Sequence, residues 1–191
     1  MAGTFNNASF FLINTVFDLY IFVLLVRFIL AYVRADFFNP LTQFFIKLTQ
    51  PIILPLRRVI PNYKNFELST IFLVIILEIV KFSLFALLLR NTPHIGGLLL
   101  LAFADGLHSL INIFFYAILL QAILTWVQQG YSPAADLLAK ITMPIMRPFH
   151  RIIPPIGGID ISPIPAMLLL QLIIIMVVTP LFAAGQVMAF G

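Results

Sequence analysis

The chain has 191 residues, 62% hydrophobic and 9% charged, with a formal net charge of +4 and a mean hydropathy of +1.09. About a quarter of the residues in a soluble domain are charged, so this composition excludes an ordinary soluble domain and reads as an integral membrane protein. The absence of cysteine excludes a disulfide framework, a thiol nucleophile and CxxCH haem attachment.

The first apolar stretch, 9–32, is close to the roughly 20 residues a membrane helix needs. It has no basic leading region and no small-residue cleavage site, so a retained helix is expected rather than a signal peptide. A basic, proline-punctuated segment follows at 39–61. It opens on Asn39-Pro40, a capping side chain ahead of proline at the first helical position. At 100° per residue, Leu41, Phe44, Phe45 and Leu48 fall on one face, and Thr42, Gln43, Lys47, Thr49 and Gln50 on the other. That pattern predicts a short helix in the membrane interface, its lysine turned to anionic headgroups. Pro51, Pro55 and Pro61 are then expected to end or kink the helix and hold the chain extended or tightly turned, with Arg57 and Arg58 on this stiff track. Glu67 and Ser69 lead into a second apolar stretch, 69–89. An apolar run at 95–106, interrupted by Asp105 and Gly106, either extends the third span at 107–127 or dips into the interface.

The proline segment then recurs, 93 residues later and without a gap, at 132–154. Pro40, Lys47, Thr49, Pro51, Ile52, Pro55, Arg58, Ile60, Pro61 and Ser69 reappear as Pro133, Lys140, Thr142, Pro144, Ile145, Pro148, Arg151, Ile153, Pro154 and Ser162. The helical face repeats as well, with Leu137, Leu138 and Ile141 opposite Asp136, Lys140, Thr142 and Met143. Asp160 and Ser162-Pro163 open the fourth apolar stretch, 163–184. The expected architecture is therefore an all-α membrane protein of two parallel repeats, 1–93 and 94–191. Each repeat has two transmembrane helices, a short interfacial amphipathic helix and a Pro/Arg loop.

Eight of the eleven lysines and arginines fall in or just beside the repeated segments: Arg34, Lys47, Arg57, Arg58, Lys64, Lys140, Arg147 and Arg151. By the positive-inside rule these segments face the cytoplasm of an inner (plasma) membrane, and both termini lie outside. Ordinary inside-positive charge explains arginine in general. Retention at fixed offsets from the same prolines favours a docking surface for anionic headgroups or a protein partner, through Lys47, Arg57, Arg58, Lys140, Arg147 and Arg151. Arg58 is expected to pair with Glu67, and Arg151 with Asp160, closing each loop, while Ser69 and Ser162 act as caps.

In these residues the sequence resembles the YggT family of small bacterial and plastid membrane proteins. The family pattern is Asn-Pro, Thr-x-Pro, Pro-x-Arg-Arg-x-Ile-Pro and Asp-x-Ser-Pro. It is met by Asn39-Pro40, Thr49-Gln50-Pro51, Pro55-Leu56-Arg57-Arg58-Val59-Ile60-Pro61 and Glu67-Leu68-Ser69. The second copy supplies Thr142-Met143-Pro144, Pro148-Phe149-His150-Arg151-Ile152-Ile153-Pro154 and Asp160-Ile161-Ser162-Pro163. Glu67, Thr70, Ser132 and His150 depart from the pattern, which puts in doubt equal function of the two copies. The resemblance implies no agreed biochemical activity. Members have been tied to cell division, nucleoid distribution, plastid cytochrome maturation and osmotic tolerance, a spread that points to scaffolding or assembly.

Ionisable residues inside membrane spans are costly and call for partners. Asp18 and Arg27 lie in the first span, Glu78 and Lys81 in the second. An antiparallel pairing predicts a buried seam, Asp18–Lys81 and Arg27–Glu78. The second half offers Ile111, Leu120, Gln171 and Ile174 at the matching positions. The plain reading is a weld between helices; the functional one is an ion or proton pathway, or a site for a partner helix. Asp105, His108 and Asn112 share a helical face, but a metal site needs a further strong ligand, so no metal and no cofactor is expected. No HExxH, Walker loop, GxSxG or dinucleotide fingerprint occurs, and no enzyme activity is expected. Direct nucleic-acid binding is disfavoured, since eight charges over two loops suit anionic lipid equally well. Four short spans also allow a homo-oligomer.

Overall fold

The protein is described by a computed structural model over residues 2–63, 66–127, 132–154 and 160–191. Lys64, counted above among the basic residues, lies outside the described residues. Helix α1, Ala2–Tyr32, ends in a Schellman turn. The Ala35 amide donates to the Leu30 carbonyl at 2.9 Å and the Arg34 amide to that of Ala31 at 3.3 Å. Arg34 takes a φ of 52° there, where glycine is usual, a conformation that costs about 1–2 kcal/mol.

Helix α2, Pro40–Val59, starts as its sequence suggests: Asn39 Oδ1 accepts from the Leu41 amide at 2.9 Å, with proline at the first position. Its course corrects the expectation of a break at the prolines, because the helix runs unbroken through Pro51 and Pro55. Lys47, Pro51 and Pro55 form one exposed stripe, so the hydrogen bonds that proline removes are lost on the outer side. The terminator is Pro61, which holds Ile60 extended at φ −117°, ψ 97°. Helix α5, Pro133–Ile152, repeats the arrangement through Pro144 and Pro148 and ends before Pro154. The face of α2 that is buried also differs from the simplest amphipathic picture. Thr42, Thr49 and Ile53 pack inward, while Leu41, Phe44 and Leu48 stay exposed on the body's outer surface.

Helix α3 spans Leu68–Leu88, and α4 spans Ile95–Val127, so the run 95–106 extends the third span. The last span is one continuous rod: α6 (Pro163–Ile173), a π-helical turn (Ile174–Val178) and α7 (Thr179–Phe190). Pro180 explains the widened turn. It has no N–H, and the Thr179 amide reaches five residues back to Ile174, leaving room for the ring. Among the described residues, four helices are thus long and apolar enough to cross a membrane, over Asn6–Tyr32, Leu68–Leu88, Ile95–Thr125 and Pro163–Phe190. Few residues in the most apolar stretch of each are buried, and large apolar side chains such as Phe11, Leu19, Phe72, Phe103, Leu168 and Ile175 are exposed as on a lipid-facing surface. This is a multi-pass membrane protein.

Helix α4 is the central element and touches α1, α3, α5, α6 and α7. Its contact with α7 is close because a Cβ at Gly97 would overlap the Ala189 backbone, and one at Gly185 would lie 3.0 Å from the Leu101 amide nitrogen. One apolar core joins Ile21, Leu24 and Ile29 of α1 to Ile53, Val74, Ile113 and Ile141, drawing both repeats into one body. The amphipathic helices meet at one end of it, where Asn39 Nδ2 donates to the Pro133 carbonyl at 2.8 Å.

Candidate functional site

The charged residues within the spans collect into two nodes rather than one seam. In the first, the buried Lys81 ammonium lies 2.8 Å from Asp18, 2.6 Å from Glu78 and 2.6 Å from Asp105. The three carboxylates come from α1, α3 and α4, so one cation joins three helices. Asn14 Nδ2 adds a 2.8 Å bond to Asp18. Glu78 is fully buried and relies on the Lys81 charge, since neither of its carboxylate oxygens makes a well-aligned hydrogen bond. The Asp18–Lys81 pair is the one predicted from antiparallel register. The sequence groups Asp105 with His108, but the structure sends it to Lys81 instead, while His108 pairs with Asn112 at 3.2 Å. A signal for Asp105 existed in the sequence only if 95–106 was already known to continue the helix. Among the described residues no group of three histidines or carboxylates is placed to hold a metal ion, and the three carboxylates here surround an ammonium group.

The second node sits at the end of the bundle that carries α2. Arg27 does not reach Glu78. Its Nε donates to Glu67 Oε2 at 3.0 Å, and its Nη1 donates to the Thr49 hydroxyl at 2.7 Å. Register explains the difference. With Lys81 level with Asp18, the residue level with Arg27 is nine places earlier in α3, at Phe72, and Glu78 lies about 9 Å away along the axis at 1.5 Å per residue. Glu67, just before α3, is reachable by the long arginine. Its carboxylate also takes Arg57 and the Thr70 hydroxyl, the latter at 2.9 Å.

This node corrects the loop pairing. Glu67 is closed by Arg57 and not by Arg58, and in the second copy Asp160 is closed by His150 at 2.9 Å and not by Arg151. One helical position is a 100° turn, and in both copies it is the first residue of the pair that meets the acid. Asp160 also accepts from the Ser162 amide at 2.9 Å and from its hydroxyl. Burial pushes the Asp160 carboxyl up, but the Ser162 hydroxyl and amide and the His150 ring outweigh it and hold the group below its ordinary value. The serines do not cap as expected: neither Ser69 nor Ser162 makes a side-chain cap bond, and the Ser69 hydroxyl donates to Asn62 Oδ1 at 3.4 Å. Asp160 takes the Ser162 amide instead, whereas Glu67 accepts from the Thr70 hydroxyl and makes no side-chain cap bond.

With Arg57 turned in, the outer basic residues are Lys47, Arg58, Arg147 and Arg151, all exposed. Lys140 is partly held by Asp136 at 3.0 Å on the same helix. These residues lie along α2 and α5, at the end of the bundle where Asn39 joins Pro133.

Comparison with known proteins finds the same duplication. The family model described as CCB3/YggT matches twice, over residues 6–88 and 100–181. A Vibrio alginolyticus protein from the proC 3' region is 41% identical over 158 residues, covering 82% of this chain and 85% of its own length. The YggT protein of Escherichia coli K12 is 38% identical over 187 residues, covering 97% of each. A chloroplast YlmG homologue of Arabidopsis thaliana is 34% identical over 71 residues, 37% of this chain and 28% of its own. No solved structure matches.

Proposed function

The chain belongs to the CCB3/YggT family, and from that premise we propose a non-enzymatic protein of the inner membrane that organises or assembles a membrane complex. The observation that carries this reading is the division of labour between adjacent basic residues in each copy. Arg57 and His150 close the loops on Glu67 and Asp160, which leaves Arg58 and Arg151 exposed beside them. A loop that needed charge only for folding or topology has no use for the second arginine at a fixed offset. Lys47, Arg58, Lys140, Arg147 and Arg151 then form a cytoplasmic docking face for a protein partner or anionic headgroups, with the termini outside.

The test is in-cell crosslinking and co-purification from native membranes, comparing wild type with Arg58→Ala/Arg151→Ala at equal accumulation. A defined partner present only with wild type supports docking. A partner retained by the double variant, or none for either protein, removes it.

One observation favours a second reading, a regulatory or channel-like role in ion balance: three carboxylates share a single lysine inside the spans. Ion flux through liposomes holding the protein, abolished by Asp105→Asn, supports it. Flux equal to that of empty liposomes removes it.

A further inference from the structure

We propose that the groove between α1 and α4 docks a membrane helix of another protein, one that carries a lysine or arginine at mid-membrane depth. The groove holds about 400 Å³. Phe22 and Val26 of α1 and Ala117 and Leu120 of α4 line it, together with Phe45 of α2 and Leu138 of α5. Small side chains keep it open, among them Ser109, Ala117 and, where α2 has Leu41, Ala134 of α5. Asp18 lines the same groove with 45% of its side chain exposed. It stands near the middle of the span Asn6–Tyr32, about 20 Å from either end at 1.5 Å per residue. A carboxylate open to hydrocarbon at that depth is costly. Its own counter-charge is divided, because the Lys81 ammonium also serves Glu78 and Asp105. A basic side chain entering the groove supplies the charge that this node is short of, and the apolar walls pack the rest of the helix that brings it.

The second repeat serves as an internal control. At the position of Asp18 it has Ile111, buried in one apolar cluster with Ala166 and Leu170 of α6. That repeat folds without a carboxylate there, so the acid is an addition to the frame rather than a requirement of it. Lipid tails fill an apolar groove but offer Asp18 no donor. A second copy of the chain offers none either. The basic residues of its spans, Arg27 and Lys81, are buried and held by acids of their own chain. The inference rests on the assembly reading and adds the class of partner, while using none of the basic residues of α2 and α5.

The test uses the full chain in phosphatidylcholine liposomes and synthetic polyleucine membrane helices, each with a photo-crosslinking group beside its central residue. One peptide has lysine at the centre, one has leucine there, and one carries its lysine two turns off centre. Titration gives the affinity of each, and mass spectrometry maps the crosslinks. The central-lysine helix should bind saturably, about tenfold tighter than the other two, and crosslink to Phe22, Tyr116 or Leu120. Asp18→Asn keeps the shape and should bring it down to the level of the leucine helix. Asp36→Asn removes an exposed acid beyond the end of α1 and should change nothing. The proposal is overturned if the central lysine binds no better than leucine, which is apolar packing alone, or no better than the displaced lysine. Crosslinks confined to other faces, or wild-type binding by Asp18→Asn, overturn it as well. The comparison of peptides needs no variant, so it decides the matter if Asp18→Asn fails to accumulate. A synthetic helix ends at the membrane surface and gives the basic loops nothing to hold, so failure here leaves the loop face to its own test.

Discussion

At Lys81 an ammonium group with 1% of its surface exposed lies within 2.8 Å of carboxylates from three helices. Lys81→Met would leave the fully buried Glu78 without a counter-charge, a loss of about 3–5 kcal/mol when a buried pair is broken on one side. Thermal melting in detergent is the check, and a melting point equal to wild type would show that the node is not structural. Glu67 makes a similar argument about neighbours. It binds Arg57 and Arg27, whereas Arg58 is exposed. Arg57→Glu should therefore destabilise the protein and Arg58→Glu should not. The exchange Arg57→Glu/Glu67→Arg should recover only part of the loss, because Arg27 then meets a like charge. Equal melting points for Arg57→Glu and Arg58→Glu would refute the assignment.

Among elements, the contact of α4 with α7 depends on the absence of side chains. Gly97 has the Ala189 backbone where a Cβ would stand, and the His94 amide donates to the Ala189 carbonyl at 3.0 Å. Gly97→Leu must push the helices apart and should lower stability by at least about 1–3 kcal/mol, the usual cost of overpacking. Protease sensitivity of the C-terminal helix would report the separation, and unchanged sensitivity would contradict it. The amphipathic helices lead to the opposite expectation. Pro51 and Pro144 lie inside continuous helices on their exposed sides. Alanine at either should leave stability unchanged or raise it, by up to about 3 kcal/mol. A clear loss would mean that the prolines hold a bend the fold needs.

In the whole molecule, both amphipathic helices lie at one end of the bundle, where Asn39 of one repeat bonds Pro133 of the other. The chain has no cysteine, so a single introduced thiol reports its own side without background. Arg58→Cys and Arg151→Cys should resist an impermeant thiol reagent applied to intact cells and react in inverted vesicles. A cysteine at Gly191 should behave in the reverse way. Labelling of the two loop positions from opposite sides would overturn the parallel-repeat topology.

Composition determined the class of this protein, and periodicity determined its spans, because a bilayer admits few structures and they must be long and apolar. The 93-residue duplication made the two amphipathic helices legible together with the Asn39 start, but not their length, since Pro51, Pro55, Pro144 and Pro148 do not end them and Pro61 and Pro154 do. Asp18–Lys81 was legible because antiparallel neighbours bring equal depths together. The tertiary structure alone decided the rest. Arg27 meets Glu67, and Asp105 joins Lys81, because axial register and the extension of α4 are set by packing against other helices and not by spacing along the chain. Arg57 and Arg58 differ by one position in sequence and by 100° in space. Which of them faces the acid depends on how α2 is rolled against α1, and Thr42, Thr49 and Ile53 set that roll by packing inward.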